Sequence, residues 1–437
     1  MDFLKNAQTL NYIVSVFIFF TAFVVIFSEK IHRTIVALAG AMLMLLVGKL
    51  MGFYNEHHAL SSIDFNTLGL LLGMMILLAL LKETGVLEFI AIWVAQRTKG
   101  SPWRLMVMLG LVTSVLSMFL DNVTTVILIA PITVFIAQKI KINPVPLLLS
   151  EALLSNIGGV STLVGDPPNI LIGTAANISF NAFLIYLGPI VAVTWIISMF
   201  LLKKIFKQDL KAKPDLEELM KMNPREALKD NAKLKRTLFC LFLVIILFFL
   251  HSSWHLSPSF VAFFGAALAL ILVRPKNLDE ILNDVEWGVL IFFAALFVIV
   301  GGLEASGVLK LLGNSILGYA ESNLLLTTII MLWGASIISA LVDNIPFTMA
   351  VIPLIQYMGS QGINIAPLWW ALALGAGFGG NGTPIGATAN VVVINLSEKI
   401  GKPITFKKWI QSGAIITLIS CILATLWMIL LFKLMKW

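Results

Sequence analysis

Charge is what this sequence most lacks. Of its 437 residues only 12% are Asp, Glu, Lys or Arg, about half the roughly 25% usual in a soluble domain. With 59% of residues hydrophobic, a fold in water would have nowhere to put its surface, so lipid is the solvent. Cysteine is nearly absent: Cys240 and Cys421 lie in separate apolar runs, which excludes a disulfide framework and a paired-cysteine metal site. No Gly-rich loop ending in Lys-Ser or Lys-Thr occurs, so energy comes from a gradient or from a separate ATPase subunit. No cofactor and no metal is expected. The net charge of +7 is not a nucleic-acid signature, because the basic residues sit in short connections between apolar runs. The first run, Asn11 to Phe27, is followed by Ser28-Glu29-Lys30 and not by a small-residue cleavage site. It reads as a retained helix.

What is there is a repeat, the feature to seek first. Lys82-Glu83-Thr84-Gly85-Val86-Leu87 recurs as Glu304-Ala305-Ser306-Gly307-Val308-Leu309, and the same offset of 222 carries Asp121-Asn122 onto Asp343-Asn344 and Pro131 onto Pro353. One residue later lost, an offset of 221 maps Gly158-Gly159 to Gly379-Gly380, Thr162 to Thr383, Gly165 to Gly386 and Asn169 to Asn390. The chain therefore divides into a first repeat (1–206), a charged linker (207–236) and a second repeat (237–437).

Each half reads as three spanning helices (11–28, 34–51, 65–82; 237–251, 257–273, 286–303) and a short amphipathic piece (86–97; 308–320). Two apolar arms follow around a polar tip (103–120 and 123–138; 323–342 and 345–358). A run broken in its middle comes next (146–156 and 166–178; 367–377 and 387–396), and a last helix closes the half (181–203; 407–432). The expected fold is an all-α polytopic membrane protein of two inverted repeats. Each has about five spanning helices, one re-entrant hairpin and one broken helix.

The positive-inside rule favours the re-entrant reading. It gathers 25 of the 30 lysines and arginines on one side, among them Lys30, Arg33, Lys139, Lys141 and the linker. Full spans would leave Lys139 and Lys141 opposite Arg97 and Lys99. Both termini then lie outside, the central loop is cytoplasmic, and the membrane is the cell's inner membrane. One hairpin opens to each side.

Irregular backbone at membrane depth survives only against protein or a wet cavity. Four breaks meet in this arrangement, two hairpin tips and two unwound segments, as in secondary transporters. The tips carry Asp121-Asn122 and Asp343-Asn344. An ionisable group costs at least about 2.5 kcal/mol at a helix centre, and both halves keep one, so at least one of the two aspartates reads as an ion or proton site, against simple capping of the tips. Asn156, Gly159, Ser161, Thr162, Asp166 and Asn169 in one segment, with Gly380, Asn381, Thr383 and Asn390 in the other, supply neutral oxygens, amides and open backbone. Asp166 before Pro167 reads as an N-cap or as an ion site; its repeat mate is Ala387. Glu151, whose mate is Leu372, is a proton site or merely lies near a helix end. Proton coupling is expected at Asp121, Asp343, Asp166 and Glu151. His57, His58, His251 and His255 fall in outer loops and look incidental.

The run Ser155-Asn156-Ile157-Gly158-Gly159 through Gly165-Asp166-Pro167-Pro168-Asn169 closely resembles the ion-transporter superfamily that holds the ArsB arsenite permeases, the NhaD antiporters and the P protein. Glu29-Lys30-Ile31-His32-Arg33-Thr34 and Gly379-Gly380-Asn381-Gly382-Thr383-Pro384-Ile385-Gly386-Ala387 match as well. The likeness covers essentially the whole chain. More distantly the layout is similar to the divalent anion/sodium symporters, which implies a homodimer with a scaffold and a mobile, elevator-like transport domain. The chain lacks their paired Ser-Asn-Thr motifs.

With aspartates and no Arg or Lys in the four breaks, a multivalent anion is disfavoured. A cation, or a neutral solute exchanged for protons, fits better. The resemblance makes arsenite and antimonite, neutral trihydroxides, the first expectation and sodium/proton antiport the second. An intramembrane aspartyl protease needs two aspartates on adjacent full helices, not a duplicated chain, so no enzyme is expected. A passive channel is told apart by flux that ignores the proton gradient. The expected partners are a small inorganic solute or ion, protons and the lipid bilayer, with no nucleic acid.

Overall fold

The computed structural model describes residues 2–28 and 30–437, with side chains described except at 2–7, 27, 315 and 316. Glu29 of the opening motif lies outside the described residues. Among these, the chain is helical with no strand, and eight helices are long and apolar enough to cross a membrane.

The first half runs α1 (Asp2–Phe27), α2 (Arg33–Leu50), α3 (Glu56–Ser62), α4 (Phe65–Glu83) and α5 (Val86–Arg97), then the arms α6 (Pro102–Ser117) and α7 (Asn122–Lys139). Next come α8 (Val145–Gly159), α9 (Pro167–Ala176) and α10 (Phe180–Ile205), with α11 (Leu216–Lys221) in the linker. The second half follows the same order: α12 (Asn231–Leu250), α13 (Pro258–Val273), α14 (Leu278–Asn283), α15 (Trp287–Ser306) and α16 (Val308–Ser322). Then come α17 (Leu324–Leu341), α18 (Asn344–Ser360), α19 (Ala366–Gly379), α20 (Thr388–Lys399), α21 (Phe406–Ile410) and α22 (Gly413–Met435).

Several boundaries differ from the sequence reading. α8 continues through Asn156 to Gly159, because Gly158 packs on α6 where an added Cβ would sit 2.6 Å from the Ser114 carbonyl oxygen. Its repeat mate Gly379 meets the Ser336 oxygen of α17 at 2.5 Å in the same way. In lipid, where apolar surface gives little drive to associate, such close approach holds helices together. α12 begins at Asn231, six residues early, because Asp230 caps Ala232 and Lys233. The short α3 and α14 were not expected, and the last helix divides into α21 and α22 at Gln411-Ser412. His251 is not incidental: it accepts from the Phe180 N–H at 3.1 Å and bonds the Leu256 carbonyl at 3.0 Å, tying α12 to the head of α10.

The helices pack as two bundles. α1–α4 associate with α12–α15, and α6–α10 associate with α17–α20 and α22. Between them α5 leans on α7, and α16 leans on α18. Within the second bundle the bonding repeats with the sequence: Ser117 Oγ donates to the Ser155 carbonyl (2.8 Å), and Ser339 Oγ to that of Ala376 (2.6 Å).

The linker is docked. Leu219 is fully buried, and Gln96 Nε2 donates to the carbonyls of Leu219 (3.1 Å) and Met222 (2.6 Å). Lys141 pairs with Asp215 at 2.8 Å, and the Lys229 N–H reaches the Thr84 carbonyl at 3.1 Å.

Candidate functional site

Four helices of the second bundle begin at one place: α7 at Asn122, α18 at Asn344, α9 at Pro167 and α20 at Thr388. α8 and α19 end there. Each helix start turns unpaired N–H groups and a partial positive charge inward.

Caps absorb part of that potential. Asp121 accepts from the N–H groups of Val123 (3.0 Å) and Thr124 (2.9 Å) and from Thr124 Oγ1 (2.5 Å). Asp343 accepts from the Ile345 N–H (3.2 Å). Asp166 stands at the N-cap position of α9 yet caps nothing. A cap side chain bonds the second or third N–H of its helix. Here Pro167 and Pro168 have none, and the third, on Asn169, bonds the Asp166 backbone carbonyl (2.9 Å). The capping reading of this carboxylate is thereby corrected. The prolines free it to face inward, where it is 1% exposed.

There it is held by both hairpins. Asn122 Nδ2 stands 3.3 Å from Oδ1; Asn344 Nδ2 stands 3.5 Å from Oδ1 and 3.3 Å from Oδ2. Asn122 also donates to Asn156 Oδ1 (2.9 Å), and Asn156 Nδ2 in turn to Asn381 Oδ1 (2.9 Å) and Asn390 Oδ1 (3.0 Å). Asn381 Nδ2 completes the crossing to the Leu153 carbonyl (3.0 Å), while Trp409 Nε1 donates to the Asn381 carbonyl (3.0 Å). The result is a closed, buried box of amides drawn from both halves around one carboxylate. Asp121 and Asp343 both lie within electrostatic reach of it.

Other expected residues serve the backbone. Asn169 Nδ2 satisfies the carbonyls of Gly159, Val160 and Thr162 at 2.8 to 3.2 Å, and Asn390 Nδ2 does the same for Gly380 (2.8 Å) and Thr383 (3.0 Å). Thr162 and Thr383 turn their hydroxyls to the hairpin carbonyls of Met118 and Ala340. Ser161 bonds the Gly158 carbonyl (2.6 Å) and lines an apolar groove beside α10. Glu151 lies outside the box: Oε1 accepts from Thr133 Oγ1 (2.5 Å), and buried Oε2 has no partner. Neither thiol enters the box; Cys421 Sγ donates to Ser336 Oγ (3.0 Å).

Arg33 is the residue the sequence reading missed. Its Nη1 stands 3.2 Å from Asp343 Oδ2 and 2.7 Å from Thr388 Oγ1, so the breaks are not without a cation. Linear position puts it among the charges of a connection, but it begins α2 and reaches across to the hairpin tip. Glu286, at the head of α15, lies beside Thr124 and Asp121 and within electrostatic reach of Arg33. The signal was available: Arg33 belongs to the opening motif.

Residues 23–375 match the family described as citrate transporter, CitMHS. The chain is 39% identical to an uncharacterized transporter of Mycobacterium tuberculosis, over 95% of this chain and 97% of that one. It is 37% identical to the 46 kDa membrane protein of Mycobacterium leprae, over 97% and 100%. Against the human P protein it is 29% identical over 95% of its length, spanning 59% of that longer chain. Its fold is similar to that of the YdaH transporter of Alcanivorax borkumensis (TM-score 0.59, 14% identity, 92% of this chain and 99% of that one).

Proposed function

Since the chain belongs to the citrate transporter family and is a multi-span membrane transporter, we propose that it is a secondary active transporter that exchanges its cargo for protons at Asp166. The observation that carries this is the single carboxylate gripped by Asn122 and Asn344. Amides accept as well as donate. The box can therefore hydrogen-bond a neutral trihydroxide, or offer carbonyl and carboxylate oxygens to a small cation. Arsenite and antimonite efflux is the first reading, on the resemblance to arsenite permeases.

Sodium/proton antiport is the second, favoured by Asp121 and Asp343 lying within electrostatic reach of Asp166. Citrate, the cargo in the family's description, needs several cations. Among the described residues the one cation bonded to a site residue is Arg33, already paired with Asp343.

The division into two bundles supports an elevator-like movement, with α1–α4 and α12–α15 as scaffold. In the proposed topology the two halves are inverted, α2 and α15 start at the cytoplasmic face of the inner membrane and both termini lie outside. The contacts of Arg33 and Glu286 with the tips then belong to an inward-displaced state. A homodimer joined through the scaffold completes the reading.

Uptake of arsenite and of sodium into everted vesicles, with a proton-gradient readout, tests it. One of the two is expected to dissipate the gradient. If neither solute does so, the reading fails.

A further inference from the structure

One ion pair crosses between the two bundles at the site. Among the described ion pairs, Arg33 with Asp343 alone joins the bundle of α2 to the bundle of the hairpins. It is a closed triangle: Arg33 Nη1 donates to Asp343 Oδ2 and to Thr388 Oγ1, and Thr388 Oγ1 donates to the same Asp343 Oδ2 at 2.9 Å. The buried ring of Phe292 on α15 backs the guanidinium at 5.3 Å, fixing it from the scaffold side. Planar, always charged and able to bridge two acceptors, Arg does here what Lys does poorly.

The triangle has a cavity on one side and the box on the other. The cavity, about 250 Å³, is lined by His32, Arg33, Asp343 and Thr388 among apolar side chains. One residue beyond Asp343 is Asn344, which holds Asp166; one residue before Thr388 is Ala387, 2% exposed. Arg33 thus clasps the hairpin tip to the head of α20 between them.

We propose that Arg33 is the gate of the site. Its bridge to Asp343 and Thr388 closes the way between cavity and box, and a cation that takes over Asp343 opens it. Once Asp343 is taken, Arg33 keeps only its bond to Thr388 across the bundle interface. Ligand occupancy is thereby coupled to relative movement of the bundles. The inference rests on the transport reading above, since a gate presupposes passage, but its test needs no cargo.

The experiment measures labelling of Ala387→Cys by a small water-soluble maleimide in the full-length protein, with Cys240→Ala and Cys421→Ser in the background. Arg33→Gln is expected to raise the labelling rate at least about tenfold, and Arg33→Lys less. Asp343→Asn is expected to raise it as far as Arg33→Gln, and the double variant no further, as for two halves of one latch. A second reporter, Ala371→Cys in the buried middle of α19, is expected to stay unlabelled throughout. No rise with Arg33→Gln, additive rises in the double variant, or labelling at both reporters each overturns the gate. If neither arsenite nor sodium is transported, the proposed cargo fails while the labelling result stands.

Discussion

Asn344 stands 3.3 Å from Asp166, so the hairpin tip of one half holds the lone carboxylate in the unwound segment of the other. The two residues are 178 positions apart. Asn122 holds the same group from its own half. The repeat supplies two amide donors and, because position 387 is Ala, one acid.

That grip predicts an asymmetric cost. Asn344→Ala leaves buried Asp166 short of a partner, for a loss of about 1–3 kcal/mol, seen as a lower thermal midpoint in detergent. The same change with Asp166→Ala is expected to recover part of the loss, because no acceptor is then left unpaired. Additive losses would mean the two side chains are not coupled.

Glycine at the helix contacts predicts a second effect. Gly158→Ala and Gly379→Ala each push a methyl to within 2.6 and 2.5 Å of a carbonyl oxygen. Overpacking of this kind costs about 1–3 kcal/mol. Gly318→Ala on α16 meets nothing within 4 Å and is expected to leave stability unchanged or raise it by up to about 1 kcal/mol. Thermal unfolding of the three variants checks the order.

The docked linker predicts a flat pH response. Asp215 is held below its ordinary 3.8 by the hydrogen bond from Lys141, and Lys141 above its ordinary 10.5 by the same bond. The acid's contribution is present above 3.8 and lost as pH falls through its lowered value. That of the lysine is present below 10.5 and lost as pH rises through its raised value. Linker protection from trypsin is expected to be constant from pH 5 to pH 9 once corrected for protease activity. A clear loss of protection at neutral pH would contradict this. Asp215→Asn should speed cleavage throughout.

Much of this was legible in the sequence because the repeat fixes a register. The hairpin tips, the unwound glycines and the convergence of Asn122, Asn156, Asn344, Asn381 and Asn390 follow once two halves face each other. Three things were not legible. The freedom of Asp166 depends on two missing N–H groups, which a simple cap reading passes over. The backbone duties of Thr162, Thr383, Asn169 and Asn390 depend on which carbonyls the breaks expose. The role of Arg33 depends on what a long side chain reaches across a bundle interface, whereas linear position gives only the side of the membrane.

The most direct test of the account is proton-coupled transport by Asp166→Asn in everted vesicles, measured beside Asp121→Asn. The amide preserves the shape of the box but cannot bind and release a proton. Exchange is expected to fall to background with Asp166→Asn, while the protein still folds and inserts. Gradient dissipation by Asp166→Asn at a rate comparable to the unaltered protein would contradict the account.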